Sequence, residues 1–236
     1  MTAAGGAAAE PASPGLAARL REATRDAHRR AERSGIMRRL LAGEVERWRY
    51  ARLLRALHGV YAALESGLDR HAGDPRVAPA TDDRLRRAPA LAADLRRLHG
   101  DGWPALAVAA EGRAYVRHLE RLADREPPLL VAHAYVRYLG DLAGGQLLRR
   151  LVGRSVAGGF VPTAAYEFPA IAEPAAFVAD YRARLDGLPV DAGTADAIVG
   201  EAVAAFERHV RLFEELDAAP PDAAAPAPPL AVAPAR

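Results

Sequence analysis

The sequence predicts an all-α, multi-helix fold in a single domain. Apolar residues recur at intervals of three and four along most of the chain, which places them on one face of a helix. No stretch shows the apolar–polar alternation or the hairpin turns that strands require. The chain has 236 residues, half of them hydrophobic, and is therefore long enough to bury one sizeable core.

The helices are justified in order by apolar stripes and by the prolines between them. The first is expected to span about twenty residues, with a stripe formed by Leu16, Leu20, Thr24, Ala27 and Ala31. Prolines at 75 and 79 end the second helix, and those at 127 and 128 separate the fourth from the fifth. The later helices are expected at 44–71, 90–98, 104–125, 127–157, 174–185 and 194–216, with a loop at 158–169.

Both ends of the chain are expected to be disordered, leaving a helical domain over residues 15–217. Residues 1–14 lack the basic and apolar regions of a secretory signal, and residues 218–236 are rich in proline and alanine. No apolar run approaches the roughly 18 to 20 residues that span a bilayer. We expect a soluble cytoplasmic protein with no membrane partner.

Composition excludes several classes of function. All 32 basic residues are arginine, and the formal net charge is only +2, which does not favour a nucleic-acid partner. Because arginine is so frequent, a single arginine is weak evidence of a site. The absence of cysteine excludes disulfides, thiolate metal sites and cysteine nucleophiles.

A glycine-rich stretch inside the fifth predicted helix is the most informative feature of the chain. Gly140, Gly144 and Gly145 interrupt an otherwise apolar helix, and each costs roughly 1 kcal/mol relative to alanine. Such glycines indicate close approach to the backbone, either by another helix or by a flat ligand. Asp141 and Arg137 lie beside them, so a ligand there would meet a carboxylate and a guanidinium.

A histidine on the first predicted helix is a candidate metal ligand. Thr24, His28 and Glu32 are spaced i, i+4, i+8, and Glu32 is placed to orient the imidazole. On spacing alone, a lone histidine beside an apolar face is more often a core or boundary residue, and His58 on the second helix is an equal rival. No His-Glu-x-x-His pair, P-loop or Gly-x-Ser-x-Gly elbow indicates other chemistry.

Two long segments resemble the heme oxygenase family. Residues 20–32 (LREATRDAHRRAE) resemble its proximal helix, and residues 132–146 (AHAYVRYLGDLAGGQ) its distal helix. Four shorter matches follow the family's order, at residues 61–65, 168–172, 181–184 and 213–216. The resemblance implies a heme oxygenase-like fold with heme b, both cofactor and substrate, sandwiched between the proximal and distal helices.

The resemblance also implies a set of site residues. His28 would ligate the heme iron with Glu32 beside it, and Gly140 and Gly144 would let the distal backbone approach the porphyrin. Asp141 would hold the water that delivers a proton, with Arg137, Tyr61 and Tyr115 as its hydrogen-bonding neighbours. The other residues implied to contact heme or its propionates are Tyr135, Phe206, Phe213, Arg21, Arg25 and Arg182.

Ordinary structural roles remain open for these residues. Arg137 and Asp141 are spaced i, i+4, as in a surface salt bridge, and Tyr61 and Tyr115 are equally compatible with core tyrosines. Two positions depart from the family. Val178 replaces a frequent lysine, which leaves the regiochemistry of ring opening open with the α-meso product as the default. His209 replaces an asparagine, and either a place in the distal network or a solvent-facing position is compatible with the sequence.

The implied activity is oxidative cleavage of heme by O2 and electrons to biliverdin, CO and ferrous iron. The electrons would come from a redox partner such as a ferredoxin, a flavodoxin or a reductase, and a biliverdin-consuming enzyme is a further candidate partner. Arginines at 29, 30, 33, 38 and 39 offer a docking face for an acidic partner, or an ordinary solvated face. The alternatives are a non-catalytic heme-binding or heme-shuttling protein on the same fold, and a helical scaffold without a cofactor.

Overall fold

The chain folds into α-helices joined by short turns. A computed structural model describes residues 14–155 and 162–220, with no side chains described for 153–155. Within these ranges no strand occurs, and the all-α prediction is confirmed. The α-helices are α1 (Leu16–Glu32), α2 (Gly35–Ala42), α3 (Arg47–Arg70), α4 (Ala88–His99), α5 (Ala110–Arg125), α6 (Leu130–Ala134), α7 (Gly140–Ser155), α8 (Pro174–Asp186) and α9 (Ala192–Ala218).

The long helix α9 is the centre of the packing. It lies along α1 and α2 and also contacts α5 and α6, while α3 packs between α4 and α5. The apolar stripes predicted for these helices face one continuous core, in which Leu20, Leu53 and Leu64 are almost completely buried. None of the helices within the described ranges is long and apolar enough to cross a membrane.

Carboxylates distant in sequence fix the beginnings of two helices. Asp186, at the end of α8, accepts a 2.7 Å hydrogen bond from the backbone nitrogen of Ala17 in the first turn of α1. Glu215 in α9 accepts from the backbone nitrogens of Ala110 and Glu111, at 2.7 and 2.8 Å. A carboxylate satisfies free N–H groups at a helix N-terminus and opposes the positive end of the helix dipole.

One predicted boundary is wrong, and one helix was not predicted. The helix expected at 104–125 begins at Ala110, because Pro104 lies in a 3₁₀ turn (Trp103–Ala105) and the cap from Glu215 sets the start of α5. The helix that was not predicted is α2, which follows a tight turn at Gly35. Gly35 has a φ of 38°, and a Cβ there would lie 2.0 Å from the backbone oxygen of Phe213, so this turn requires glycine.

The helix predicted at 127–157 contains a change of helix type. A 3₁₀ turn (Pro127–Leu129) precedes α6, and a π-helical turn (Tyr135–Leu139) joins α6 to α7 without a break. Single π-helical turns occur frequently at functional sites. The end of this predicted helix, the first part of the predicted loop and nearly all of the two predicted tails lie outside the described residues.

Candidate functional site

A cleft opens between α1, α7 and α9, with α2 at one end. A second hollow shares His28, Gly140, Gly144 and Phe206 with it and extends the cleft along α1 and α8. The lining of the first part is His28, Ala31, Glu32, Met37, Leu41, Val136, Arg137, Gly140, Asp141, Gly144, Leu147, Leu148, Phe206, His209 and Phe213.

The glycines of α7 divide into two kinds. A Cβ built on Gly140 or on Gly144 would meet nothing within 4 Å, and both residues line the cleft. A Cβ on Gly145 would lie 3.2 Å from the backbone oxygen of Tyr166, so this glycine allows close packing. Of the two explanations left open by the sequence, close packing accounts for Gly145, while Gly140 and Gly144 leave bare backbone facing the cleft.

His28 lies on the opposite wall of the cleft from the glycines. Its side chain is 49% exposed, its ring packs edge-on against Phe206 with centroids 5.5 Å apart, and Nδ1 lies 3.7 Å from the carboxylate of Glu32. His58, the rival candidate, instead packs against the Trp103 ring and does not line the cleft. An accessible imidazole facing a bare helix backbone across a cleft is suited to hold the metal of a flat cofactor.

Arg137, Tyr61 and Asp141 form a hydrogen-bonded cluster at the inner end of the cleft. Arg137 donates through Nε to the Tyr61 hydroxyl at 3.0 Å and through Nη2 to Oδ1 of Asp141 at 3.2 Å. Tyr61 in turn donates its hydroxyl proton to Oδ2 of Asp141. The side chains of Arg137 and Asp141 are each only 13% exposed, so the pair is not an ordinary surface salt bridge.

Burial and the neighbouring groups together determine the pKa values of Tyr61 and Arg137. Burial raises the pKa of Tyr61 well above its usual 10, so the phenol keeps its proton as a donor. Burial alone would lower the pKa of Arg137, but Tyr61 and Asp141 raise it above its ordinary value. The cluster therefore combines a permanent cation, a phenol that keeps its proton and a carboxylate that faces the cleft.

His209 belongs to the same cluster. The side chain is buried in α9, where Nδ1 lies 2.7 Å from the carbonyl oxygen of Ala205 and Nε2 lies 3.0 Å from Nη1 of Arg137. Of the two positions that the sequence left open, the structure shows the one in the distal network. His209 also packs edge-on against Tyr115, with ring centroids 5.2 Å apart.

Tyr115 was expected as a hydrogen-bonding neighbour of Asp141, but the structure places its hydroxyl in a second network. Its hydroxyl lies 2.8 Å from Nδ1 of His133, and Nε2 of His133 lies 3.0 Å from Oε1 of Glu201. His118 approaches the same oxygen through Nε2 at 2.7 Å. Sequence reasoning missed His118, His133 and Glu201, because their spacing of 15 and 68 residues carries no recognisable pattern.

The two histidines and Glu201 form a hydrogen-bond network and not a metal site, although their ligand atoms lie within 4.8 Å of one another. Arg208 and Arg121 donate to Nδ1 of His118 at 3.0 and 3.2 Å. Nε2 of His118 therefore carries the proton and donates to Glu201. A metal at Nε2 would move that proton to Nδ1, against two guanidinium donors.

The outer part of the cleft is basic. Arg21, Arg25 and Arg182 line its mouth, and Tyr135 lies between them and the glycine face. Nε of Arg182 is buried without a hydrogen-bond partner, and Arg25 is paired with Glu22 of the same helix. A buried guanidinium donor without a partner is suited to bind a carboxylate entering the cleft.

The remaining predicted features are Val178 and the arginines considered for partner docking. Val178 in α8 packs against the core and offers no charge to a ligand. Four of the five arginines considered for partner docking pair with carboxylates of their own chain, which neutralises much of that face. The pairs are Arg29 with Asp26, Arg30 with Glu207, and both Arg38 and Arg39 with Asp217.

Comparison with known proteins agrees with the fold and the cleft. The family model described as heme oxygenase matches residues 14–215. Heme oxygenase 1 of Nostoc sp. is 38% identical over 207 residues, covering 87% of each chain. Heme oxygenase 1 of Rattus norvegicus is 36% identical over 213 residues, covering 87% of this chain and 73% of the relative.

Solved structures agree as well. The crystal structure of Synechocystis heme oxygenase-1 in complex with heme has a TM-score of 0.83 and 37% identity, covering 86% of this chain and 93% of the other. The helical fold and its cleft therefore define a heme oxygenase-type protein. The chain belongs to the heme oxygenase family, whose members are enzymes of heme degradation.

Proposed function

We propose that this protein binds heme b in the cleft and cleaves it, with O2 and external electrons, to biliverdin, CO and ferrous iron. The observation that carries the proposal is that two different walls of the cleft, formed by α1 and α7, face each other. The accessible imidazole of His28 faces the bare backbone of Gly140 and Gly144, with Asp141 beside them. Heme supplies the iron at which O2 is reduced and is also the molecule that is oxidised.

Three features of the cleft fit heme. His28 provides an imidazole nitrogen for the iron, and Glu32 is near enough to orient the ring. The side-chain-free surface of Gly140 and Gly144 accepts a flat macrocycle. Arg182, with its unpartnered Nε, and Arg21 would bind the propionates at the mouth.

The distal cluster has the chemistry of a proton relay. Asp141 presents a carboxylate to the cleft while accepting from Tyr61 and Arg137, so its position is fixed from two sides. A carboxylate held in this way positions a water in the cleft and passes protons through it. The phenol of Tyr61 stays protonated, because burial raises its pKa, and so remains a hydrogen-bond donor to Asp141.

The electrons are proposed to come from a separate redox protein. The support for a separate donor is that the chain belongs to the heme oxygenase family, whose reaction consumes electrons. Arg30 and Arg39 of the basic face pair with carboxylates of their own chain, which weakens the attraction of this face for an acidic partner.

The test is a single turnover of heme-reconstituted protein under air with a chemical reductant. We expect the Soret band to disappear, with release of CO and formation of biliverdin. Asp141→Ala should slow this by about 100-fold, the low end for a residue in proton transfer. A matched control is Asp180→Ala, which removes an exposed carboxylate of α8 that does not line the cleft.

The outcomes separate the candidate functions. A stable heme complex that releases no CO would leave a heme carrier on the same fold. Equal rates for Asp141→Ala and the unchanged protein would remove Asp141 from proton delivery while leaving the oxygenase reaction intact. Chromatography of the bilin identifies which meso carbon is attacked, with the α isomer expected.

A further inference from the structure

The buried imidazole of His209 lines the cleft yet has both ring nitrogens in hydrogen bonds to the protein. Nδ1 lies 2.7 Å from the carbonyl oxygen of Ala205, one turn earlier in α9. Nε2 lies 3.0 Å from Nη1 of Arg137. The residue is 2% exposed, so solvent does not compete for either nitrogen.

The two partners determine the tautomer. A carbonyl oxygen only accepts hydrogen bonds and a guanidinium only donates them. Nδ1 therefore carries the proton, and Nε2 offers its lone pair to Arg137. A second proton on Nε2 would point at the N–H of a cation.

The other surroundings of the ring keep it neutral. The Tyr115, Phe206 and Phe213 rings pack around it, and the buried His133 lies nearby. Burial and the charge of Arg137 lower the pKa of His209 well below its usual 6.5. Among the described residues no carboxylate bonds the ring, and Arg137 lies between His209 and Asp141 in the hydrogen-bond network.

We propose that His209 is a positioning residue. Its Nε2 accepts a hydrogen bond from Arg137 and so holds the guanidinium in place, and it supplies no proton to the cleft. The proposal rests on the proposed function. Each guanidinium nitrogen of Arg137 has a different partner: Nε bonds Tyr61, Nη1 bonds His209 and Nη2 bonds Asp141. Three separate partners fix both the position and the rotation of the guanidinium plane.

This arrangement has a chemical consequence for the cleft. A histidine facing a heme pocket is ordinarily available as a proton donor or as a ligand through Nε2. Here Nε2 is occupied by Arg137 and carries no proton. At this end of the cleft, Tyr61 holds a proton and donates it in a hydrogen bond to Asp141.

The first test is nitrogen NMR of the heme-free protein labelled with ¹⁵N-histidine. We expect His209 to show the Nδ1–H tautomer and no titration between pH 8 and pH 5.5, assigned by comparison with His209→Gln. The Nε2–H tautomer, or a ring that titrates near pH 6.5, would overturn the proposal. Because heme is absent, this result is independent of whether the protein is an oxygenase.

The second test compares two substitutions in the heme-reconstituted protein. His209→Leu removes the acceptor and leaves a buried guanidinium N–H without a partner, so we expect single turnover to slow about 10-fold or more. His209→Gln places an amide oxygen near the position of Nε2 and should recover the rate to within about 3-fold, with the pH profile unchanged.

A structural role alone would not produce this difference. Both variants should bind heme with similar affinity in a Soret titration, which separates positioning from loss of the pocket. If the glutamine variant is as slow as the leucine variant while folded and heme-loaded, the imidazole itself is needed and the proposal fails. A leucine variant at the unchanged rate would also overturn it.

Discussion

The hydroxyl of Tyr61 donates to the carboxylate of Asp141, although the two residues lie 80 positions apart in the chain. Tyr61 comes from the middle of α3, and Asp141 from the first turn of α7. The bond joins the helical core to the wall of the cleft. The carboxylate is thereby fixed by a residue that does not itself line the cleft.

Tyr61→Phe should therefore slow turnover without removing the ligand. The substitution deletes one donor to Asp141 and one acceptor of Arg137, and a hydrogen bond to a charged group is worth about 1.5–3 kcal/mol. We expect a roughly 10- to 100-fold slower single turnover, with heme affinity changed less than about 3-fold. Tyr181→Phe, whose hydroxyl bonds the backbone of Ala80 away from the cleft, is the control. Equal slowing in both variants would point to general destabilisation.

The glycines of α7 should separate stability from ligand binding. Gly140→Ala and Gly144→Ala add a methyl group in open space, so each should raise the stability of the heme-free protein by about 0.5–1 kcal/mol. The same methyl groups occupy the surface proposed for the porphyrin and should weaken heme binding. Gly145→Ala meets the backbone oxygen of Tyr166 and should give no gain in stability. Thermal unfolding measures the change in stability, and Soret titration measures heme affinity. Unchanged heme affinity in both Gly140→Ala and Gly144→Ala would contradict the proposal that heme lies against these glycines.

His28→Ala should remove the iron ligand while leaving the fold intact, because the side chain is half exposed in the cleft. We expect an altered Soret maximum and loss of turnover, both restored in part by free imidazole entering the space. His58→Ala provides the matched control, since His58 packs on Trp103 outside the cleft. Spectra identical to the unchanged protein in the His28 variant would assign the iron to another residue.

Glu201→Gln should reveal an acid-sensitive contribution to stability. Burial raises the pKa of Glu201, but hydrogen bonds from His118 and His133 outweigh it and lower the pKa to about 2. A carboxyl with a lowered folded-state pKa stabilises above its unfolded value near 4.5, and that stability is lost as the pH falls towards 2. We expect the variant to lose about 2–3 kcal/mol at pH 7.

The difference between the two proteins should narrow on acidification. At pH 4 we expect it to be smaller by roughly 1 kcal/mol, because the carboxylate of the unchanged protein has begun to lose its advantage. Urea unfolding of the heme-free proteins at both pH values measures this change. A difference that stays constant would show that Glu201 acts through packing alone.

The helical periodicity was enough to predict the fold class and most helices, because apolar stripes are local in sequence. Periodicity could not predict helix boundaries that depend on contacts with residues distant in sequence. The start of α5 depends on Glu215, over 100 positions away, and the turn before α2 depends on the approach of Phe213 to Gly35. These contacts exist only after the helices have packed.

The candidate site divides in the same way. Gly140, Gly144 and Asp141 stood out because glycine is costly in a helix and a carboxylate is uncommon in an apolar one. His133 and Glu201 looked like any other histidine and glutamate, and only the packing of α5, α6 and α9 brings them together. The roles proposed for the site residues stay predictions until the variants are measured.

The π-helical turn at Tyr135–Leu139 changes the direction in which the later residues of the long helix face. A π turn accommodates about one residue more than the α-helix around it, and each α-helical residue turns by about 100°. The residues after the turn are therefore rotated by about that angle from where an unbroken α-helix would place them. In the continuous helix formed by α6, the π-helical turn and α7, the first part is thus buried in the core while Gly140, Gly144 and Asp141 of α7 face the cleft. Loss of a single residue from this turn would therefore rotate Gly140, Asp141 and Gly144 away from the cleft while the α-helical segments on either side persist.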